Sequence, residues 1–150
     1  MPSHFIDCRV RLRRPHEKQK QFIRSQAKRK IIRAGRRGGK TTGVAILAVE
    51  RFLAGWHILY AAPTDEQIDK FWREVKCSLA ETIAAGVFQK NETEHIIERL
   101  GTDQRIKAKT AWNADTLRGD YADLLILDEW QLMAEETWKE GGALCTCQVG

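Results

Sequence analysis

The sequence predicts an α/β fold, a mainly parallel sheet flanked by helices, and three observations carry that prediction. Short apolar, β-branched runs at residues 30–34, 57–62 and 122–127 alternate with longer helical patterns, as in successive β-α-β units. The helical stretch 41–53 is apolar over much of its surface through Val44, Ile46, Leu47, Val49 and Phe52, which suits a helix laid on a sheet. Finally, 150 residues that are 43% hydrophobic and 30% charged can bury one ordinary core.

Taken in order, residues 1–14 read as a basic, extended or disordered arm. Pro15 suits the first turn of a helix, and the pattern continues helically to about Lys28. Residues 30–34 form a short buried strand leading into a glycine-rich turn. The 41–53 helix follows and ends at Gly55. Residues 57–62 are a second strand, turned by Pro63-Thr64. Residues 65–85 form a long helix with an inner stripe of Ile68, Phe71, Trp72, Val75 and Leu79 at three- and four-residue steps. That spacing makes Phe71 and Trp72 core residues rather than a stacking platform for bases. Gly86 closes the helix. Residues 94–100 and 104–109 flank Gly101-Thr102-Asp103 as a β-hairpin insertion. Residues 122–127 are the third strong strand, ending in Asp128-Glu129-Trp130, and a last helix covers 135–140.

The glycine-rich turn carries the first chemistry. In Ala34-Gly35-Arg36-Arg37-Gly38-Gly39-Lys40-Thr41-Thr42, an apolar run enters a loop and Lys-Thr-Thr opens a helix, the layout of a phosphate-binding P-loop. Gly35, Gly38 and Gly39 let backbone N–H groups curl around a polyphosphate, and the helix aims its positive end at the same anion. Lys40 is placed to reach the β- and γ-phosphates and the Thr41 hydroxyl to ligate Mg²⁺. The usual G-x-x-x-x-G-K-[ST] pattern begins with glycine; here that position is Ala34.

The second chemistry is the strand Asp123-Leu124-Leu125-Ile126-Leu127-Asp128-Glu129. In a parallel sheet its C-terminal end lies at the crevice where ligands bind. Asp128 then supports the Mg²⁺, and Glu129 orients and activates the water that attacks the γ-phosphate. Phosphoryl transfer also needs positive charge at the developing transition state. Arg36 and Arg37 in the loop and Arg118 in a turn are the candidate arginines, with Arg36 favoured within the subunit. Arg118 is read as a sensor or as a finger offered to a neighbour.

The net charge of +5 hides an asymmetry. Residues 1–40 hold fourteen Lys/Arg against two Asp/Glu, whereas residues 41–150 hold eleven against eighteen. A basic arm beside a nucleotide site points to DNA or RNA, with Arg9, Arg11, Arg13 and Arg14 as weak DNA-binding candidates; a solvated tail is the plainer alternative. No apolar run is long enough to span a membrane, and the N-terminus lacks a signal peptide's apolar region. Cys8, Cys77, Cys145 and Cys147 have neither CxxC nor zinc-ligand spacing, which fits free thiols in a reducing cytosol.

These pieces resemble the large terminase subunit of tailed double-stranded DNA bacteriophages. The loop Gly35 to Thr41 is similar to that family's arginine-bearing Walker A variant. Residues 15–22, with Gln19, resemble its adenine-reading segment. Tyr60-Ala61-Ala62-Pro63-Thr64 with Gln67 and Trp72 resembles its helicase-like second motif, and Leu117-Arg118-Gly119 through Asp128-Glu129 its Walker B block. The resemblance implies a P-loop NTPase of the ASCE type and a motor that hydrolyses ATP with Mg²⁺ to thread DNA into a procapsid through a portal. It implies a ring of subunits, a small-subunit partner and residence in the host cytoplasm. It also implies a nuclease domain and a coupling strand ending in Ser/Thr-Thr-Pro after Walker B. Neither is expected in this chain, so 15–140 reads as an incomplete, truncated ATPase domain and 141–150 as an atypical tail. The alternatives are a helicase-like DNA translocase, although Asp128-Glu129-Trp130-Gln131 departs from the helicase acidic run; a small-molecule kinase, for which no acceptor site is evident; and a nucleotide- or DNA-binding remnant without turnover.

Overall fold

The computed structural model describes residues 9–33, 39–110, 121–129 and 145–149. Seven strands form one sheet in the order β1-β7-β6-β2-β5-β4-β3. β1 (Arg29–Ile32), β7 (Cys145–Val149), β6 (Leu124–Asp128), β2 (His57–Ala62) and β5 (Arg105–Thr110) run parallel. β4 (Ile96–Glu98) and β3 (Gln89–Asn91) continue the sheet antiparallel. The helices are α1 (Glu17–Arg24), α2 (Lys40–Leu53), α3 (Asp65–Ser78) and α4 (Ala80–Ala84).

β2 and β6 are buried almost throughout, which explains their continuous apolar sequences: a strand covered on both faces has no polar side to alternate with. α2 is buried from Gly43 to Val49 and at Phe52. α3 buries the predicted stripe, Ile68, Phe71, Trp72 and Val75, and leaves its other face to solvent.

Four elements differ from the sequence expectation. The first helix stops at Arg24, where Ser25 turns extended (ψ 134°), and the following strand begins at Arg29. The long second-half helix is two helices. At Leu79 (φ −103°, ψ 12°) the backbone leaves helical geometry, and the Ser78 carbonyl accepts the Arg11 N–H (3.0 Å) from the N-terminal segment. Leu79 itself drops fully into the core. The predicted hairpin exists, but it is no appendage, because β5 pairs in parallel with β2 along its whole length and β3 adds one further strand. Lastly, residues 145–149, set apart in the sequence as part of a tail, are a strand inside the sheet between β1 and β6. Cys147 and Val149 there are fully buried, and burial pushes the Cys147 thiol up to about 12. The expected helix at 135–140 lies outside the described residues.

The described part of the basic arm, from Arg9, docks on the body of the protein. It runs without helix or strand along α3 and α4, with Val10 and Leu12 against the core. Arg11 pairs with Glu81 at 3.4 Å and Arg13 with Glu74 at 3.1 Å.

Candidate functional site

Five parallel strands deliver their C-terminal ends to one edge, the place where ligands bind in sheets of this kind. The register makes the alignment close: Val149 of β7 is level with Ile32 of β1 on one side and with Asp128 of β6 on the other. Arg33, which leads into the glycine-rich loop sequence, and Glu129 therefore leave the sheet at the same edge.

α2 begins on the far side of that loop. Its N-cap, Gly39, is left-handed (φ 71°), a conformation that glycine adopts without penalty. A Cβ at this position would also lie 2.5 Å from Gln19 Nε2. No side chain caps the helix and no acid occupies its first turn, so the N–H groups and positive end of the dipole at this terminus have no anionic partner from its own sequence.

Lys40 and Glu129, distant in sequence, meet across the edge with Nζ 3.5 Å from Oε1; both side chains are about a quarter exposed or less. Glu129 is one of two non-glycine residues with positive φ (50°) among the described residues. Such a backbone is uncommon outside glycine and clusters at functional sites. Asp128 is buried and held at both oxygens. Oδ1 accepts the Glu129 N–H at 2.9 Å, and Oδ2 accepts the hydroxyl of Tyr60 from β2. Burial raises the Asp128 carboxyl above its ordinary range, opposed chiefly by the Tyr60 hydrogen bond. Burial, and then the charge of Asp128, drive the Tyr60 phenol well above its ordinary value.

α1 supports the loop from outside. Gln19 and His16 form a reciprocal capping box: the Gln19 N–H donates to His16 Nδ1 (3.3 Å) and the His16 N–H to Gln19 Oε1 (2.9 Å). The side-chain Nε2 of Gln19 donates to the Gly39 carbonyl at 2.7 Å. Gln19, expected to read adenine, is thus buried and clamps Gly39 at the start of α2. Gly43 makes the close approach of α1 possible, because a Cβ there would lie 2.4 Å from the Phe22 ring. His16 and Gly43 escaped the sequence reading, and Tyr60 was noted there as part of a motif but not as a partner of Asp128. A buried tyrosine beside a strand of the site was the available signal for Tyr60, and for Gly43 a glycine inside an otherwise unbroken helix.

Of the predicted site residues, Gly39, Lys40, Thr41, Thr42, Asp128, Glu129 and Gln19 gather at this edge, with Thr41 and Thr42 in the half-buried first turn of α2. Gly35, Arg36, Arg37, Gly38 and Arg118 lie outside the described residues. The arginines of the arm run along α3 and α4, where Arg11 and Arg13 face acids.

No family model matches the chain. Its sequence is 29% identical over 149 residues to the large terminase subunit of Thermus virus P23-45, an overlap of 85% of this chain and 30% of that protein. The large terminase ATPase domain of Thermus phage P74-26, solved as a mutant, superposes with a TM-score of 0.75 at 21% identity, over 91% of this chain and 65% of the other. The bacteriophage HK97 large terminase gives 0.72 at 19% identity, over 95% and 34%. The resemblance to phage large terminases holds in sequence and in fold. A large terminase of a thermophilic bacteriophage in complex with ADP shares the fold more loosely (TM-score 0.59, 18% identity, 89% of this chain and 38% of that one). The chain therefore spans under a third of the large terminase subunit it matches in sequence, within the region that has the ATPase fold.

Proposed function

We propose that this chain carries the core of the ATP-hydrolysing motor domain of a viral DNA-packaging terminase, coupling hydrolysis to translocation of double-stranded DNA into a procapsid. The observation that carries the reading is the meeting of Lys40 and Glu129 at 3.5 Å, beside buried Asp128 and at the uncapped start of α2. The adjacent basic segment, the likeness to large terminases and the ADP-bound relative support it.

In this reading the first-turn N–H groups of α2 and the Lys40 ammonium bind the β- and γ-phosphates. The incoming γ-phosphate draws Lys40 away from Glu129, and the released carboxylate orients a water and takes its proton. Thr41 and Asp128 fit Mg²⁺: a hydroxyl and a carboxylate are the hard oxygen donors it takes, in the small number it needs when phosphates and waters complete the shell. Bound Mg²⁺ supplies neutralisation of charge on the phosphate oxygens. Arg36 acts within the subunit, Arg37 with Gly35 and Gly38 lines the phosphates, and Arg118 serves as sensor or as finger to a neighbour in a ring. Gln19 holds the loop and reaches the nucleotide through it. Arg9, Arg11, Arg13 and Arg14 contribute weak DNA contacts, with Arg11 and Arg13 exchanging Glu81 and Glu74 for phosphates. The portal and the small terminase subunit are the assembly partners, in the host cytoplasm; no helix among the described residues is long and apolar enough to cross a membrane.

Steady-state ATP hydrolysis with and without double-stranded DNA, compared with Lys40→Ala, tests this. DNA-stimulated turnover that the variant lacks is the expected result. ATP affinity equal in the wild type and Lys40→Ala would overturn the phosphate role of this lysine.

A further inference from the structure

We propose that Tyr60 is a positioning residue for the metal-facing carboxylate: its hydroxyl sets the rotation of Asp128 and so the oxygen lone pairs offered to Mg²⁺. This rests on the nucleotide-site reading above. β2 and β6 are parallel with Tyr60 level with Ile126. Two residues further on, Asp128 returns to the same face, where the long tyrosine side chain reaches it. The Tyr60 ring is fixed from below, fully buried and stacked on Phe71 of α3 with centroids 3.9 Å apart and planes 2° from parallel. A ring held this way places its hydroxyl at one point, and that point is Asp128 Oδ2. The Glu129 N–H takes Oδ1. Each carboxylate oxygen thus has one donor and keeps capacity for another, and the carboxylate cannot turn without breaking both bonds. Outer-shell partners of this kind commonly change metal affinity by about 10- to 100-fold when removed.

The test compares ATP affinity, by calorimetry on the intact chain, with Mg²⁺ and with EDTA, so that the gain due to the metal is read separately from turnover. Tyr60→Phe keeps the ring and its stack and is expected to cut that gain about tenfold while leaving affinity in EDTA unchanged. Phe71→Leu removes the stack and keeps the hydroxyl; it is expected to lower Tm and to cost less of the gain than Tyr60→Phe does, because the Asp128 hydrogen bond remains. In an Asp128→Asn background, where no buried charge is left unpaired, Tyr60→Phe is expected to have no further effect. A wild-type gain in Tyr60→Phe, an equal loss in Phe71→Leu, or a further loss in the Asp128→Asn background would each show that Tyr60 only packs. Absence of ATP binding by the wild type in both conditions would overturn the nucleotide reading itself, and this proposal with it.

Discussion

α2 and α3 are both fourteen-residue helices that follow a parallel strand and pack on one another, yet their N-termini are built in opposite ways. α3 closes its own: the Thr64 hydroxyl accepts the Gln67 N–H (3.4 Å), and Asp65 and Glu66 stand in the first turn, against the dipole. α2 starts from a left-handed glycine with no capping side chain and no acid. At that end Lys40 of its own first turn meets Glu129, the residue after β6, at 3.5 Å. One terminus is completed by local sequence; the other has neither a capping side chain nor an acid in its first turn, and it is this end that the proposed nucleotide site uses. The bodies of the helices follow suit. α3 is amphipathic and can be read from its stripe, whereas α2 is buried from Gly43 to Val49 and at Phe52.

The comparison breaks most directly at the acid that faces α2. Glu129→Gln keeps the hydrogen-bonding shape and removes the base, so ATP stays bound while hydrolysis falls by about 10²- to 10⁴-fold, the usual range for a general base. Turnover close to wild type in a single-turnover assay would remove Glu129 from that role. Next in size is Gly43→Ala. The new methyl would meet Phe22 at 2.4 Å and Gln19 at 3.1 Å, forcing α1 off α2 at a cost of about 1–3 kcal/mol. A lowered Tm accompanied by weaker ATP binding would tie the Gln19 clamp to the loop; a Tm at the wild-type value would mean that α1 moves aside without penalty.

Much of this was legible in the sequence, and what was not has a physical reason. The buried strands β2 and β6 announced themselves by continuous apolar runs, α3 by its stripe, and the convergence of the start of α2 on the end of β6 by two motifs in the right order; that Lys40 pairs with Glu129 was not foreseen. β7 did not. Cys-Thr-Cys-Gln-Val is short and only half apolar, and its identity as a strand comes from β1 and β6, which lie far away along the chain and flank it on both sides. Gln19 and Gly39 were each singled out but their pairing was not, since a side chain's acceptor twenty residues away has no local signature. The arm was read from charge alone. Its intervening Val10 and Leu12, which dock it on the core, were the overlooked pattern. Arg36, Arg37 and Arg118 remain proposals from sequence.

Smaller effects sharpen the contrast on the α3 side. Thr64→Ala removes the cap of α3 and is expected to cost about 1 kcal/mol with ATP affinity unchanged, the reverse of what any change at the start of α2 should do. A thermal melt together with a nucleotide titration separates the two; weaker ATP binding in Thr64→Ala would mean the helices are less independent than their caps suggest.

The smallest effect lies on the same helix, further along. Glu92, between β3 and β4, accepts the Trp72 indole N–H at 2.8 Å and pairs with Lys76 at 3.1 Å, tying α3 to the antiparallel end of the sheet. The Trp72 hydrogen bond, followed by that of Lys76, holds its carboxyl down at about 2. Because the folded value lies below the unfolded one, the stabilisation is complete above the ordinary carboxylate range and is lost as pH falls towards 2. The side chain is 51% exposed, so solvent screening limits the contribution to less than about 1 kcal/mol. Glu92→Gln should therefore be slightly less stable than wild type in urea melts at pH 7, with the difference shrinking steadily below pH 4. A constant difference across that range would place the effect in the hydrogen bond's geometry rather than in the charge. Since this end of the sheet is remote from Lys40 and Glu129, ATP turnover at neutral pH should not change.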